Sequence, residues 1–237
     1  MNFTESQFQT ILCHTMFSYW TSVEIKNGLN INGRELIPLA REYAAKEDEV
    51  NDWFSGWGRG IDLLLIDRTG KISLVEMKKE CTSRAALLRQ ASQAYEGAYY
   101  LSKVKPERML SMFEESFRVL FGAVNGRGES IFDHPKNQIF EVHKRFFKLA
   151  QPLVLDKFKD LMPTELILSL NPGSSFPDGS ASIKNMSAED ILRELSSLGG
   201  NDNNESYQRL KEICNSNISI PITLLEFAFS LQPNVYS

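Results

Sequence analysis

Histidine and cysteine are both scarce, with three of each in 237 residues. Cys13, Cys81 and Cys214 lie far apart and form no CxxC pair, so neither a disulfide framework nor a zinc knuckle is supported, and a reducing, cytoplasmic setting is expected. His14, His134 and His143 have no close ligand spacing and no adjoining nucleophile, which leaves no basis for a zinc site or a His-based triad. There is no cationic excess: 26 Lys+Arg against 30 Asp+Glu give a net charge of -4. This excludes a polycationic packaging protein but not nucleic-acid binding, because phosphates respond to the local field of a groove and any metal bound there. Long apolar runs are also missing. The longest, Ile220 to Leu231, is broken by Pro221 and Glu226 and is too short for a bilayer, so no membrane association is expected. The first ten residues lack the basic stretch and apolar run of a secretory signal. Gly56-Trp-Gly-Arg-Gly60 is followed by no Gly-Lys-Ser/Thr and is not a phosphate-binding P-loop.

What is present suits a folded chain with a buried core: 42% hydrophobic and 24% charged residues. Phe8, Ile11, Leu12, Met16 and Tyr19 follow helical spacing from about residue 4 to 20, with Thr4 or Ser6 as the cap. Glu35 to Ala45 contains Pro38 and reads as an edge strand. Gly60 to Asp67 and Ile72 to Lys78 are apolar runs of strand length around a Gly70 turn, the pattern of a β-hairpin. From Ser83 to Leu101 apolar residues keep helical spacing. A short helix then begins at Pro106, and Phe117 to Val124 reads as a buried strand because it is apolar without alternation.

Beyond residue 131 the reading is a mainly helical extension packed on the core. It starts with a helix from Lys136 to about Leu161 and a short apolar piece, Glu165 to Leu170. A Pro-, Gly- and Ser-rich segment from Asn171 to Asn185 reads as a hinge, flap or linker. Ser187 to Asp190 has the form of a capping box, Ser206 to Cys214 is helical, and the tail is read as helical too.

The chemistry gathers on the hairpin. Glu76 and Lys78 are two apart on a strand and therefore share a face. Asp62, near the start of the preceding strand, is brought opposite the neighbourhood of Lys78 by antiparallel pairing. Two carboxylates and an amine suit metal-dependent phosphodiester hydrolysis, in which a hard divalent cation polarises the phosphoryl group and activates water. Glu-x-Lys alone is also the pattern of an ordinary exposed ion pair; the apolar strands, the turn and the helix that follows are what set it apart.

Gly60-Ile-Asp62, the short strand and turn, Val75-Glu-Met-Lys78 and the long helix together resemble the PD-(D/E)XK nuclease superfamily over roughly Glu5 to Val124. The Pro-Asp pair itself is absent, since Ile61 precedes Asp62. The resemblance implies a restriction-endonuclease-like core, a mixed sheet flanked by helices in the order αβββαβ, over residues 1–130, with residues 131–237 added. It implies a nuclease using Mg2+ or Mn2+, acting on DNA in defence, restriction or repair, leaving 5'-phosphates and working as a homodimer. Asp62 and Glu76 take the positions of the metal-binding acids and Lys78 that of the motif lysine, with the Met77 carbonyl and Glu5 as further ligands; Glu5 fits equally the ordinary preference of carboxylates for the first turn of a helix. Gln90 or Gln93, on the helix after the Glu-x-Lys strand, takes the place of a phosphate- or metal-orienting glutamine.

Arg59, Trp53 and Trp57 could meet bases or phosphates from their Gly-rich stretch, although large aromatics are more often buried structure. Lys79, Arg84 and Arg89, and further on Lys144, Arg145 and Lys148, could wall a phosphate groove; the later trio also fits a solvated helix face. Asp67 reads as a turn residue. The alternative to a nuclease is a non-cleaving nucleic-acid-binding or scaffold protein, with the extension contacting a protein partner.

Overall fold

Four consecutive apolar residues, Leu63 to Ile66, suit a strand buried on both faces, and all four are buried in β3, Ile61–Asp67. The computed structural model describes residues 4–5, 7–9, 11–12, 29–43, 61–67, 71–102, 162–198, 205–216 and 218–227. Among these, six strands form one mixed sheet in chain order: β1 Leu29–Ile31, β2 Arg34–Tyr43, β3, β4 Ile72–Lys78, β5 Glu165–Leu170 and β6 Ile222–Leu225. The pairs from β1 to β4 are antiparallel, whereas β5 runs parallel to β4 and β6 parallel to β5. Three α-helices, α1 Arg84–Leu101, α2 Ala188–Ser197 and α3 Glu205–Cys214, pack together, with α1 lying on β4 and β5. The protein is thus an α/β fold built on a mixed sheet flanked by helices.

The expected hairpin is β3–β4, paired from Leu63 with Val75 to Ile66 with Ile72. The expected long helix is α1, whose start is capped by Ser83 accepting from Ala86 N. This helix approaches the sheet closely because it carries Gly97: a Cβ there would lie 2.8 Å from Leu74 Cδ1 and 3.4 Å from Ile61 Cγ1. The N-terminal residues are helical at 5, 7–9 and 11–12, and Thr4 is the cap: Gln7 N donates to Thr4 Oγ1 at 3.2 Å and Thr4 N to Gln7 Oε1 at 3.0 Å.

Several expectations need correction. β2 is an inner strand over Arg34–Leu36, where β1 pairs with it; beyond that, among the described residues, only β3 pairs with it, and Pro38 lies on this edge-like part, at a register shift between Pro38 and Ala40. β1 and β2 are joined by Asn32-Gly33, both with positive φ (52° and 78°), the two-residue turn that suits strand twist. Beyond residue 131 the described residues are not helical throughout: Glu165–Leu170 is a fully buried strand beside β4, and the tail holds β6. The segment from Asn171 to Asn185 is not a linker; it turns at Gly173 (φ 85°), forms a 3-10 helix at Ser180–Asn185 and buries Ile183. The predicted helices at 106–115 and 136–161, the strand 117–124, the turn at Gly70, and His14, Trp53, Trp57, Arg59, His134, His143, Lys144, Arg145 and Lys148 lie outside the described residues. Among the described residues no helix is long and apolar enough to cross a membrane.

At the end of the sheet where β3 leads into β4, a polar network replaces apolar packing. Arg34 Nε contacts Asp67 Oδ2 at 2.8 Å, and its Nη1 reaches Glu165 Oε2 at 2.9 Å and Ser73 Oγ at 3.0 Å. Asn32 Nδ2 donates to Glu165 Oε1 and to Thr223 Oγ1, each at 3.0 Å. Asp67 Oδ1 also accepts from Lys71 N at 3.0 Å, so this residue does more than shape a turn.

Candidate active site

The C-terminal end of β4 carries the residues singled out by the sequence. Glu76 and Lys78 do lie on one side of the strand: Lys78 Nζ donates to Glu76 Oε1 at 2.6 Å. Asp62 sits one residue beyond the last paired positions of β3 and β4, Leu63 and Val75. Its Oδ2 accepts from Met77 N at 2.6 Å, so a side chain continues the ladder, and the Asp62 charge acts on both Glu76 and Lys78. Glu5 reaches the same place from the N-terminal helix, where its Oε1 accepts from Lys79 N at 2.9 Å.

The electrostatics follow from this crowding. Glu76 is only 7% exposed. Burial first, then the negative charge of Asp62 and more weakly that of Glu5, push its carboxyl up to about 8, against the opposing charge and hydrogen bond of Lys78. For Lys78, burial works to lower the ammonium's value, but Glu76, Asp62 and Glu5 together outweigh it and the net direction is upward. The two partners share one strong hydrogen bond in a cluster with more acid than base.

The helix behind β4 contributes through backbone. Gln90, 1% exposed, donates its Nε2 to Glu76 O at 2.8 Å and to Ser169 O at 3.0 Å, tying β4 to β5 next to the acid. Gln90 therefore touches the frame of the site. Gln93 is half-buried, and its Oε1 has no partner among the described residues. Arg84 does not stand free as a groove wall: its guanidinium pairs with both carboxylate oxygens of Glu194, at 2.7 and 2.9 Å, and contacts Ser182 Oγ, which fixes α2 to the start of α1. Lys79 and Arg89 are exposed.

Sequence reasoning missed the segment after β5. Asn171 N donates to Lys78 O and Ser174 Oγ donates to Lys79 O, each at 3.0 Å, so the chain leaving β4 is held by residues almost a hundred positions later. The Pro172-Gly173 turn was the visible signal there, and it marked a turn without naming its neighbour.

A hard divalent cation matches the chemistry of Asp62 and Glu76, two carboxylates with neighbouring negative charge that a cation would relieve. Among the described residues, however, no group of three His, Cys, Asp or Glu side chains is arranged to hold a metal ion. Comparison with family models, with curated proteins and with solved structures gives no match to this chain.

Proposed function

We propose that the protein is a divalent-metal-dependent nuclease that hydrolyses phosphodiester bonds in DNA, with a restriction-endonuclease-like core. The reading rests above all on one observation: Asp62, Glu76 and Lys78 meet at the end of one antiparallel strand pair, where Glu76 is buried and pushed up to about 8. The sheet order supports it, since a three-strand meander, β2 to β4, is followed by a helix and then by a strand parallel to β4. Defence, restriction or repair is the setting that this chemistry suits.

Asp62 and Glu76 would hold Mg2+ or Mn2+, aided by the Met77 carbonyl. When bound, the metal supplies Lewis-acid polarisation of the phosphoryl oxygen and lowers the pKa of water. The protein's own residues do the rest. Lys78 offsets negative charge as it grows on the phosphoryl oxygens and orients the attacking water through its ammonium protons. Asp62 keeps β3 and β4 in register at the site through Met77 N, and Gln90 fixes the carbonyl of Glu76.

A second reading, a nucleic-acid-binding or scaffold protein that does not cut, is favoured by the partners both acids already have: Asp62 bonds Met77 N and Glu76 bonds Lys78. Incubation of supercoiled, linear and single-stranded DNA with Mg2+, Mn2+ or EDTA separates the two. The nuclease reading predicts cutting that needs metal and is abolished by Glu76→Ala and by Lys78→Ala. Equal DNA binding by all three proteins with no cutting in any metal would support the scaffold.

A further inference from the structure

Lys79 directly follows the site lysine, and both polar groups of its backbone are gripped by remote side chains. Glu5 Oε1 takes its N–H at 2.9 Å, and Ser174 Oγ donates to its carbonyl at 3.0 Å. The carbonyl of Lys78 is held as well, by Asn171 N at 3.0 Å. This is where support from the sheet ends, because β4 stops at Lys78. β5 supports β4 only as far as the Lys78–Leu170 pair, and a backbone fixed just beyond it narrows the directions open to the Lys78 side chain, whose ammonium reaches Glu76.

Both jaws are themselves anchored. Glu5 lies in the first turn of a helix closed by the reciprocal Thr4–Gln7 cap. That helix is pinned by buried Phe8, whose ring meets Phe227 edge-on at 4.8 Å between centroids. Ser174 sits in the tight turn after β5, with its own N–H on Asn171 O at 3.1 Å. Two residues on, Phe176 N donates to Glu226 Oε1 at 2.7 Å, beside the same Phe227. Three stretches far apart in sequence, around residues 4–12, 171–176 and 226–227, therefore close on the exit of β4.

We infer that Glu5 is a positioning residue and not a metal ligand: its carboxylate and the Ser174 hydroxyl clamp Lys79, and the clamp sets the direction in which Lys78 leaves the strand. Its consequence for catalysis rests on the metal-dependent reading above, but the clamp itself does not. A ligand needs the charge of Glu5, whereas a clamp needs only an acceptor oxygen, which glutamine retains.

The test combines three measurements on Glu5→Gln, Glu5→Ala and Ser174→Ala: exchange of the Lys79 amide proton by NMR, Mn2+ affinity by calorimetry, and kcat for DNA cleavage. The clamp predicts that Glu5→Ala speeds Lys79 exchange about tenfold or more while Glu5→Gln stays within about threefold of the parent. It also predicts that Mn2+ affinity falls by no more than about fivefold in Glu5→Gln and Glu5→Ala, the effect of one nearby charge removed, and not at all in Ser174→Ala, with kcat lowered in Glu5→Ala and Ser174→Ala and restored in Glu5→Gln. A loss of Mn2+ affinity of about a hundredfold or more in both Glu5 variants would make Glu5 a ligand and overturn the inference. So would Lys79 exchange that is indifferent to Glu5→Ala or, if that variant does not fold, a Ser174→Ala protein with parental kcat. Should the parent itself neither bind Mn2+ nor cut DNA, the nuclease reading fails and the exchange pattern alone decides the clamp.

Discussion

Asp62 has two tasks that ordinary acids do not combine. Its charge belongs to the acidic cluster around Glu76, and its Oδ2 supplies the hydrogen bond that Met77 N requires. The two tasks separate by substitution. Asp62→Asn keeps an acceptor but not the charge, so it is expected to fold with near-parental Tm and to lose cleavage by about a hundredfold or more. Asp62→Ala also strands the Met77 amide and should cost about 1–3 kcal/mol of stability, read by urea denaturation. Equal Tm in the two variants would show that the bond to Met77 contributes nothing. These acids were legible in the sequence because a strand's period of two fixes which residues share a face without any knowledge of the fold. The role of Glu5 was not legible in the same way: its partner is the backbone of Lys79, and a backbone amide leaves no mark in a pattern of side chains.

Among the elements, α1 does the most to organise the protein, and one buried phenol shows how. Tyr95 OH lies 3.0 Å from Ile220 O and 3.1 Å from Met186 O and shares its one proton between these carbonyls, joining α1 to the chain just before α2 and just before β6. Tyr95→Phe should remain folded and lose about 1–2 kcal/mol, a fall in Tm of roughly 2–4 °C per kcal/mol at this size; an unchanged melt would remove this tie from the account. A pH effect arises at the start of α2. The Asp190 carboxyl is held below its ordinary value by its hydrogen bonds to Ser187 in the capping box and by Arg193, and Glu194 is held low by its bond and charge pairing with Arg84. A lowered folded value means that the stabilisation is complete above the ordinary carboxylate range and disappears as pH falls through it. Tm should therefore drop between pH 6 and about pH 3, and the drop should be shallower in Asp190→Asn/Glu194→Gln; an identical slope would contradict the assignment. The capping box could be read directly from Ser187-Ala-Glu-Asp190, because a cap is local chemistry. The parallel neighbour of β4 could not. Glu165–Leu170 and the apolar run 117–124 look alike as buried strands, and nothing in local spacing says which one a distant strand will choose.

Across the whole molecule, the sheet is held as one unit by opposed devices at its two ends. The site end contains excess negative charge and a backbone clamp. At the other end, Arg34 balances Asp67 and Glu165, and through Asn32 and Thr223 the network joins the β1–β2 turn to β3, β4, β5 and β6. Arg34→Ala would leave two largely buried carboxylates facing each other and should cost about 2 kcal/mol or more even after allowing for the partial exposure of the arginine. Denaturant unfolding would measure this, and a loss confined to the hairpin's local protection, with no change in global stability, would show that the network does not span the sheet. Among the described residues β5, which lies beyond residue 131, pairs with the very strand that carries Glu76 and Lys78. Pro221 and Glu226 read as interruptions in an apolar run, yet they flank β6 and mark where that strand begins and ends. The site's support is thus drawn from both halves of the chain.

The most direct test of the central claim is the rate at which supercoiled DNA is cut in Mg2+ by the wild-type protein and by Glu76→Gln, a change that preserves size and keeps an acceptor for Lys78 while removing the acid. The account predicts cutting by the wild type, none in EDTA, and a fall of about a hundredfold or more in the variant with its melt unchanged. Cutting by Glu76→Gln at the wild-type rate, or cutting by either protein without a divalent metal, would contradict it.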